Sequence, residues 1–335
     1  MRALVTGGGG FVGGALVSAL LARGDAVRSI ARGDYPELRA RGVQTVRGDL
    51  QDPEALRAAT EGVDVVFHVA ARVGYHGDPA LYDASNIDGT RNVVDACRAA
   101  GVSRLVFTST PSVVHSRLGS EGIDESAPYP QTWIADYPRS KAAAEQIVLS
   151  ANSPELRTVS LRPRGVWGPG DTQLFPRLVQ WCREGRLKRI GDGDPLQDFS
   201  YIDNVVQAHL LADQALATSH DAVGGRAYFI TNGEPIGVWT MMSRTLDCAG
   251  LALPDGRAPL GAARVASVVI ETLWRWLGLR SEPRLTRFKL DVLTKPCWFD
   301  ITAARRDLGY EPAVSTDQGL AALKAWYEAT GSDAS

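Results

Sequence analysis

Cysteine is scarce and scattered. Among 335 residues there are four, Cys97, Cys182, Cys248 and Cys297, and no Cys-x-x-Cys pair. That pattern excludes a thiolate zinc knuckle and a dithiol redox centre, so no metal site is expected. Isolated thiols on apolar segments read as reduced core residues, which fits a cytoplasmic protein. No apolar run approaches the ~18–20 residues that a membrane span requires. Neither sign of charge dominates: 36 Lys and Arg against 38 Asp and Glu leave −2, so no nucleic-acid partner is expected. A strand begins within two residues of Met1, and a signal peptide is not expected. No internal repeat or low-complexity stretch is present. What remains is an ordinary soluble globule, 44% hydrophobic and 22% charged, long enough for one large domain or two unequal ones.

Read in order, the chain alternates strand and helix. Arg2 to Thr6 is a strand that stops at four glycines, and Phe11 to Leu21 follows with helical spacing of its apolar residues. Gly7, Gly10 and Gly13 form Gly-x-x-Gly-x-x-Gly in the strand–turn–helix context of a dinucleotide-binding motif. A backbone without side chains can approach a pyrophosphate there, and the helix N-terminus aims free N–H groups at it. A second strand around Ala26 to Ile30 ends in Ala31-Arg32. A carboxylate at that end would bind an NAD ribose, whereas the guanidinium of Arg32 suits a 2′-phosphate and favours NADPH, with NAD as the alternative. Asp34 close by complicates that preference.

Further strands are expected over Val43 to Arg47, Val63 to Val69, Leu105 to Thr108 and Thr158 to Leu161, with helices from Asp52-Pro53, over Asn86 to Ala100 and over Tyr137 to Leu149. His68 reads as a packed core imidazole. The alternation predicts an α/β fold with an open, doubly wound parallel sheet. It breaks near residue 165, beyond which Gly- and Pro-rich loops separate helices of mixed character. We therefore expect residues 1–165 to form a Rossmann-type nucleotide-binding domain. Residues 166–330 are expected to form mainly a smaller C-terminal substrate lobe, interleaved with the first.

Ala262 to Leu277 stands out in that lobe. Val265, Val268, Val269, Leu273, Trp276 and Leu277 make a broad apolar face, and Arg264, Ser267, Glu271 and Arg275 a narrow polar one. Packing against its own lobe, lining a channel for alkyl tails, and resting against a membrane or a pathway enzyme are all open on this pattern. Its three charges exclude spanning a bilayer.

Tyr137 and Lys141 lie four apart and so share a helix face. An ammonium beside a phenol favours the phenolate, which makes a proton donor and acceptor usable near neutral pH. Ser109, Thr110 and Ser112 supply hydroxyls at the end of the fifth strand. A hydride-accepting carbonyl needs a hydrogen bond to its oxygen and a proton for the developing alkoxide, and these groups meet both needs.

With these strings in place, the chain resembles the extended short-chain dehydrogenase/reductase superfamily nearly end to end. Its fingerprints are Thr6 to Gly13, Gly48-Asp49-Leu50, Asn86-x-x-Gly89-Thr90, Tyr137-x-x-Ser-Lys141, Arg162-Pro163 and the closing run Ala304 to Pro312. Ser109 to Val113, Leu161 to Arg164, Trp167 to Asp171, Tyr201 to Asn204, Asn232 to Pro235 and Leu285 to Phe288 resemble its 3β-hydroxysteroid dehydrogenase branch. Within that branch the similarity points to the 2-alkyl-3-oxoalkanoate reductases of bacterial olefin and β-lactone pathways. The resemblance implies that Gly7, Gly10, Phe11, Val12 and Gly13 hold the pyrophosphate side of the cofactor, and Arg32 the 2′-phosphate. It puts Asp49 and Leu50 beside the adenine, and Val69, Ala70 and Ala71 beside the nicotinamide ribose. Asn86 is placed with the cofactor-binding residues, Lys141 on the ribose, and Pro163 and Val166 behind the nicotinamide. Thr110 stands where the branch usually has Ser, and the choice among Ser109, Thr110 and Ser112 stays open. Arg164 is the candidate for a substrate carboxylate. A homodimer is implied, with a lipid-like keto acid as substrate. The same residues run a sterol or 3β-hydroxysteroid dehydrogenase in the opposite direction. Sugar-nucleotide epimerisation and a non-catalytic nucleotide sensor are weaker alternatives, since the Tyr and Lys are both retained.

Overall fold

In a computed structural model, described over residues 1–74, 76–114, 119–277, 279, 283 and 285–330, seven parallel strands form the central sheet. They are β1 (Arg2–Thr6), β2 (Ala26–Ala31), β3 (Gln44–Arg47), β4 (Val65–His68), β5 (Arg104–Thr108), β6 (Arg157–Pro163) and β7 (Arg226–Ile230). Their spatial order is β7-β6-β5-β4-β1-β2-β3. The order reverses between β1 and β4, the crevice where such sheets bind ligands. The helices that bear on the site are α1 (Phe11–Ala22), α2 (Pro53–Thr60), α3 (Gly89–Ala100), α4 (Asp136–Ser150) and α5 (Ile202–Thr218).

Alternation along the strands builds two cores. Ala3, Val5, Val65, Phe67, Val106 and Val159 face α1 and α5, while Leu4, Val66, Leu105 and Phe107 face α2, α3 and α4. Both faces are covered, which is why these strands read as nearly continuous apolar runs. The doubly wound parallel sheet is thus as expected. Past residue 165 the chain returns to the same sheet: β7 pairs in parallel with β6 from Arg226↔Val159 to Ile230↔Pro163, and α5 packs beneath β5 and β6. The second half of the chain therefore completes the first half's sheet. Asn86 also lies outside the α-helix expected from it, in a π-helical turn, Asp83–Asp88, that leads into α3.

A second, four-stranded sheet is assembled from distant pieces: Ile236–Gly237, Leu196–Gln197, Cys297–Phe299 and Ser120–Ile123, in that spatial order. A third core gathers Trp167, Phe175, Tyr201, Met241, Leu246 and Leu320, and Phe11 and Val12 of α1 pack against it. The helix Leu260–Trp276, here α6, follows, and then α7 (Arg287–Thr294). Among the described residues no helix is long and apolar enough to cross a membrane.

Candidate active site

The glycine turn is built by close approach. Gly7 has φ +73°, in the left-handed region that favours glycine, and a Cβ there would lie 3.1 Å from that of Ala70. A Cβ on Gly13 would lie 2.8 Å from the Gly7 carbonyl carbon and closer still to its oxygen. Gly10 caps α1 with no side-chain hydrogen bond, so the first N–H groups of α1 meet no capping oxygen. Such a cradle fits the pyrophosphate of a dinucleotide. Phe11 and Val12 can contribute only backbone here, since their side chains pack into the third core.

Arg32 is 77% exposed, with Nε 3.9 Å from Asp49 Oδ2. A cavity of about 120 Å³ opens beside it at the ends of β2 and β3, lined in part by Tyr35, Arg39 and Arg47. Arg39 is ion-paired with Asp34. The Tyr35 ring lies over Gly9, where a Cβ would fall 2.5 Å from Tyr35 Cδ1. Sequence reading did not single out these three residues. An arginine count alone carries no signal in an Arg-rich chain.

The ends of β1 and β4 are tied by one hydroxyl. Thr6 Oγ1 accepts the N–H groups of Val69 and Ala70, each at 3.0 Å, and meets His68 Nδ1 at 2.9 Å. The single hydroxyl proton then goes to Nδ1, which leaves Nε2–H to donate to Thr90 Oγ1 at 2.9 Å. Burial, aided by the Lys141 charge, pushes the His68 pKa to about 3, so the ring stays neutral. Asn86 is the second clamp. Its Oδ1 accepts Arg72 N–H at 2.7 Å, and its Nδ2 donates to Arg72 O at 3.1 Å and to Ser140 Oγ at 2.9 Å. Ser140 Oγ in turn donates to Tyr137 O at 3.0 Å. The loop after β4, which includes Ala71, is thereby locked to the first turn of α4. Leu50 sits against Gly89, where a Cβ would meet its own at 2.8 Å, which accounts for the glycine of that motif.

Tyr137 is half-buried in that first turn, and Lys141 lies one turn on, buried to 2% exposure. Lys141 Nζ donates to Thr108 O at 2.7 Å and stands 3.9 Å from the Phe107 ring centroid. Burial pulls its pKa down to about 7, against the opposing charge of Glu145. Thr108 is held from beneath by His209 on α5, whose Nε2 meets Thr108 Oγ1 at 2.7 Å. Thr110 Oγ1 accepts Ser112 N–H and donates to Ser112 Oγ, both at 3.2 Å. Ser109 Oγ is buried without a hydrogen bond of ordinary geometry. It lies close enough to Glu145 to help lower that carboxyl's pKa.

Glu145 is the centre of a buried network. Arg162 Nη2 donates to Oε1 at 2.7 Å and Nε to Oε2 at 3.0 Å, while Tyr129 OH and Ser160 Oγ donate at 2.8 and 2.7 Å. Burial would raise the Glu145 pKa, but the hydrogen bonds and charge of Arg162 hold it below the ordinary value. Pro163 follows at the end of β6, and Val166 pairs with Ser200 in a short ladder beyond it. Arg164 is half-buried, with Nη2 bonded to Gln197 Oε1 and a buried Nε that has no partner. Among the described residues no group of three or more His, Cys, Asp or Glu could hold a metal ion.

Residues 4–257 match the profile of the 3-beta hydroxysteroid dehydrogenase/isomerase family. The chain belongs to this family. The 2-alkyl-3-oxoalkanoate reductase of Stenotrophomonas maltophilia is 48% identical over 97% of this chain and 99% of its own. That of Shewanella oneidensis is 43% identical over 97% and 86%. Among solved structures, MoeE5 in complex with UDP-glucose and NAD is similar, with a TM-score of 0.75, 25% identity, and 98% and 99% coverage. As a member of this family the protein is an NAD(P)-dependent oxidoreductase acting on a CH–OH/ketone pair in a small molecule.

Proposed function

We propose that this enzyme reduces the 3-keto group of a 2-alkyl-3-oxoalkanoic acid to the 3-hydroxy acid, with NADPH as the preferred cofactor. The observation that carries the reading is end-to-end similarity to a reductase of that name, at 48% identity. The site geometry supports the chemistry. When bound, the nicotinamide supplies a hydride. Gly7, Gly10 and Gly13 hold the pyrophosphate, Arg32 the 2′-phosphate, Asp49 and Leu50 the adenine, and Val69 to Ala71 with Lys141 the nicotinamide ribose. Pro163 and Val166 back the ring. Tyr137 gives its phenolic proton to the ketone oxygen, and Lys141, with a pKa near 7, keeps Tyr137 primed. Thr110 turns its hydroxyl from Ser112 to the ketone oxygen. Ser109, pressed toward Glu145, positions the strand end. Arg164, half-buried on the loop after β6, supplies the cation for the substrate carboxylate.

In this reading residues 1–165 bind the cofactor, and residues 166–330 mainly shape the substrate site while lending α5 and β7 to the sheet. A homodimer formed through helices beside the sheet belongs to the same reading, and a monomer in light scattering would refute it. The family description favours one second reading, oxidation of a 3β-hydroxysteroid or sterol by the same residues. NADPH oxidation with a panel of 2-alkyl-3-keto acids and 3-ketosteroids separates them. Turnover is expected with the keto acids, and turnover confined to the steroids would overturn the assignment.

A further inference from the structure

Helix α6 is turned inside out. A surface helix ordinarily buries its apolar stripe and exposes its polar one. Here Ser267 is fully buried, and Glu271 faces inward to ion-pair with Arg287 at 2.6 Å. The apolar face points outward: Val265 is 67% exposed, Val268 and Val269 49% each, Leu273 43% and Trp276 81%. Of the rest of the polar stripe, Arg264 is exposed along with the apolar face, and the Arg275 side chain lies outside the described residues. Neither packing within its own lobe nor lining an enclosed channel accounts for these residues. Large apolar patches on a soluble protein mark a surface that something else covers.

Charge identifies the occupant. Positions 259–295 carry seven Lys and Arg against three Asp and Glu, a net of +4 in a chain of −2, which leaves −6 for the rest. Of these, the described side chains are Arg264, Arg287, Lys289 and Lys295 against Glu271 and Asp291, so a second copy docked face to face would set +2 against +2, which opposes association. An apolar face ending in an exposed Trp, set in a cationic segment, matches the chemistry of an anionic bilayer surface. The segment also touches the loop after β4. His76 Nε2 lies 2.9 Å from Leu279 O, joining the end of this segment to the loop after β4 that Asn86 clamps.

We propose that α6 lies flat on an anionic lipid bilayer, with its Val265, Val268, Val269, Leu273 and Trp276 face in the headgroup boundary. This does not depend on the substrate assignment, because the test reads binding alone. The full-length protein is floated with vesicles of phosphatidylcholine, and of phosphatidylcholine mixed with phosphatidylglycerol, at low and high salt. At least about tenfold more protein floats with the anionic vesicles, and the excess falls with salt. A Val268→Glu/Leu273→Glu double variant loses flotation while keeping turnover of a water-soluble keto acid. Absence of flotation with anionic vesicles overturns the proposal. So does equal flotation of wild type and a variant that retains turnover. A mass doubling in solution that this variant alone loses would assign the face to a second copy and also overturn it. Should the variant fold poorly, the wild-type comparison between the two vesicle types still decides.

Discussion

Lys141 makes a quantitative prediction about the apoprotein. Its ammonium is almost wholly buried and hydrogen-bonded to Thr108 O, and its pKa falls from the ordinary 10.5 to about 7. Below pH 7 the side chain is charged in both the folded and unfolded chain, so the folded state bears the full cost of burying the charge. Between about 7 and 10.5 the unfolded chain holds a proton that the folded one has released, and stability rises with pH. The gap, at about 1.4 kcal/mol per pH unit, amounts to at most about 5 kcal/mol. A Lys141→Met variant keeps the apolar stem and removes the titration. It also leaves Thr108 O without its donor, at a pH-independent cost of about 1–3 kcal/mol. The stability difference between wild type and variant should therefore shift in favour of wild type as pH rises from 6 to 10, by up to about 4 kcal/mol. Guanidinium unfolding followed by tryptophan fluorescence at several pH values measures it. A difference that stays constant, or shifts toward the variant, would refute the account of Lys141 as a desolvated ammonium.

Other consequences are nearer the cofactor and the core. Glu145→Gln leaves Arg162 charged and buried without its counter-charge, and should cost about 3–5 kcal/mol of stability in denaturant unfolding; a loss below about 1 kcal/mol would show that the pair contributes little. Gly13→Ala forces a Cβ into the Gly7 carbonyl, and should weaken NADPH binding by at least about tenfold in a fluorescence titration. Unchanged affinity would remove the turn from the cofactor site. Arg32→Ala should cut the preference for NADPH over NADH. If the ratio holds but falls in Arg39→Ala or Arg47→Ala, the 2′-phosphate belongs to the cavity beside Arg32 instead.

What could be read from the sequence was local. The glycine turn, Tyr137 with Lys141, and Asn86 with Gly89 and Thr90 each sit within a few residues, and the first five strands alternate with helices in plain order. What escaped was assembled across distance. β7 follows a long helical stretch and joins the sheet only through its partner β6. The second sheet is made of strands of two to four residues drawn from both halves of the chain, too short to carry a period of their own. Glu145 and Arg162 were visible singly, as the end of an alanine-rich run and the start of Arg-Pro, but nothing in the sequence pairs them. For α6 the pattern gave amphipathicity and left open which face turns inward, because that depends on what the rest of the fold offers to pack against.

The most direct test of the central claim replaces one oxygen. Tyr137→Phe keeps the ring and the helix, and removes the proton that the ketone oxygen is to receive. With a 2-alkyl-3-keto acid and NADPH, kcat should fall by at least about a hundredfold while NADPH affinity holds. Near-wild-type turnover would contradict the claim that this helix carries the chemistry.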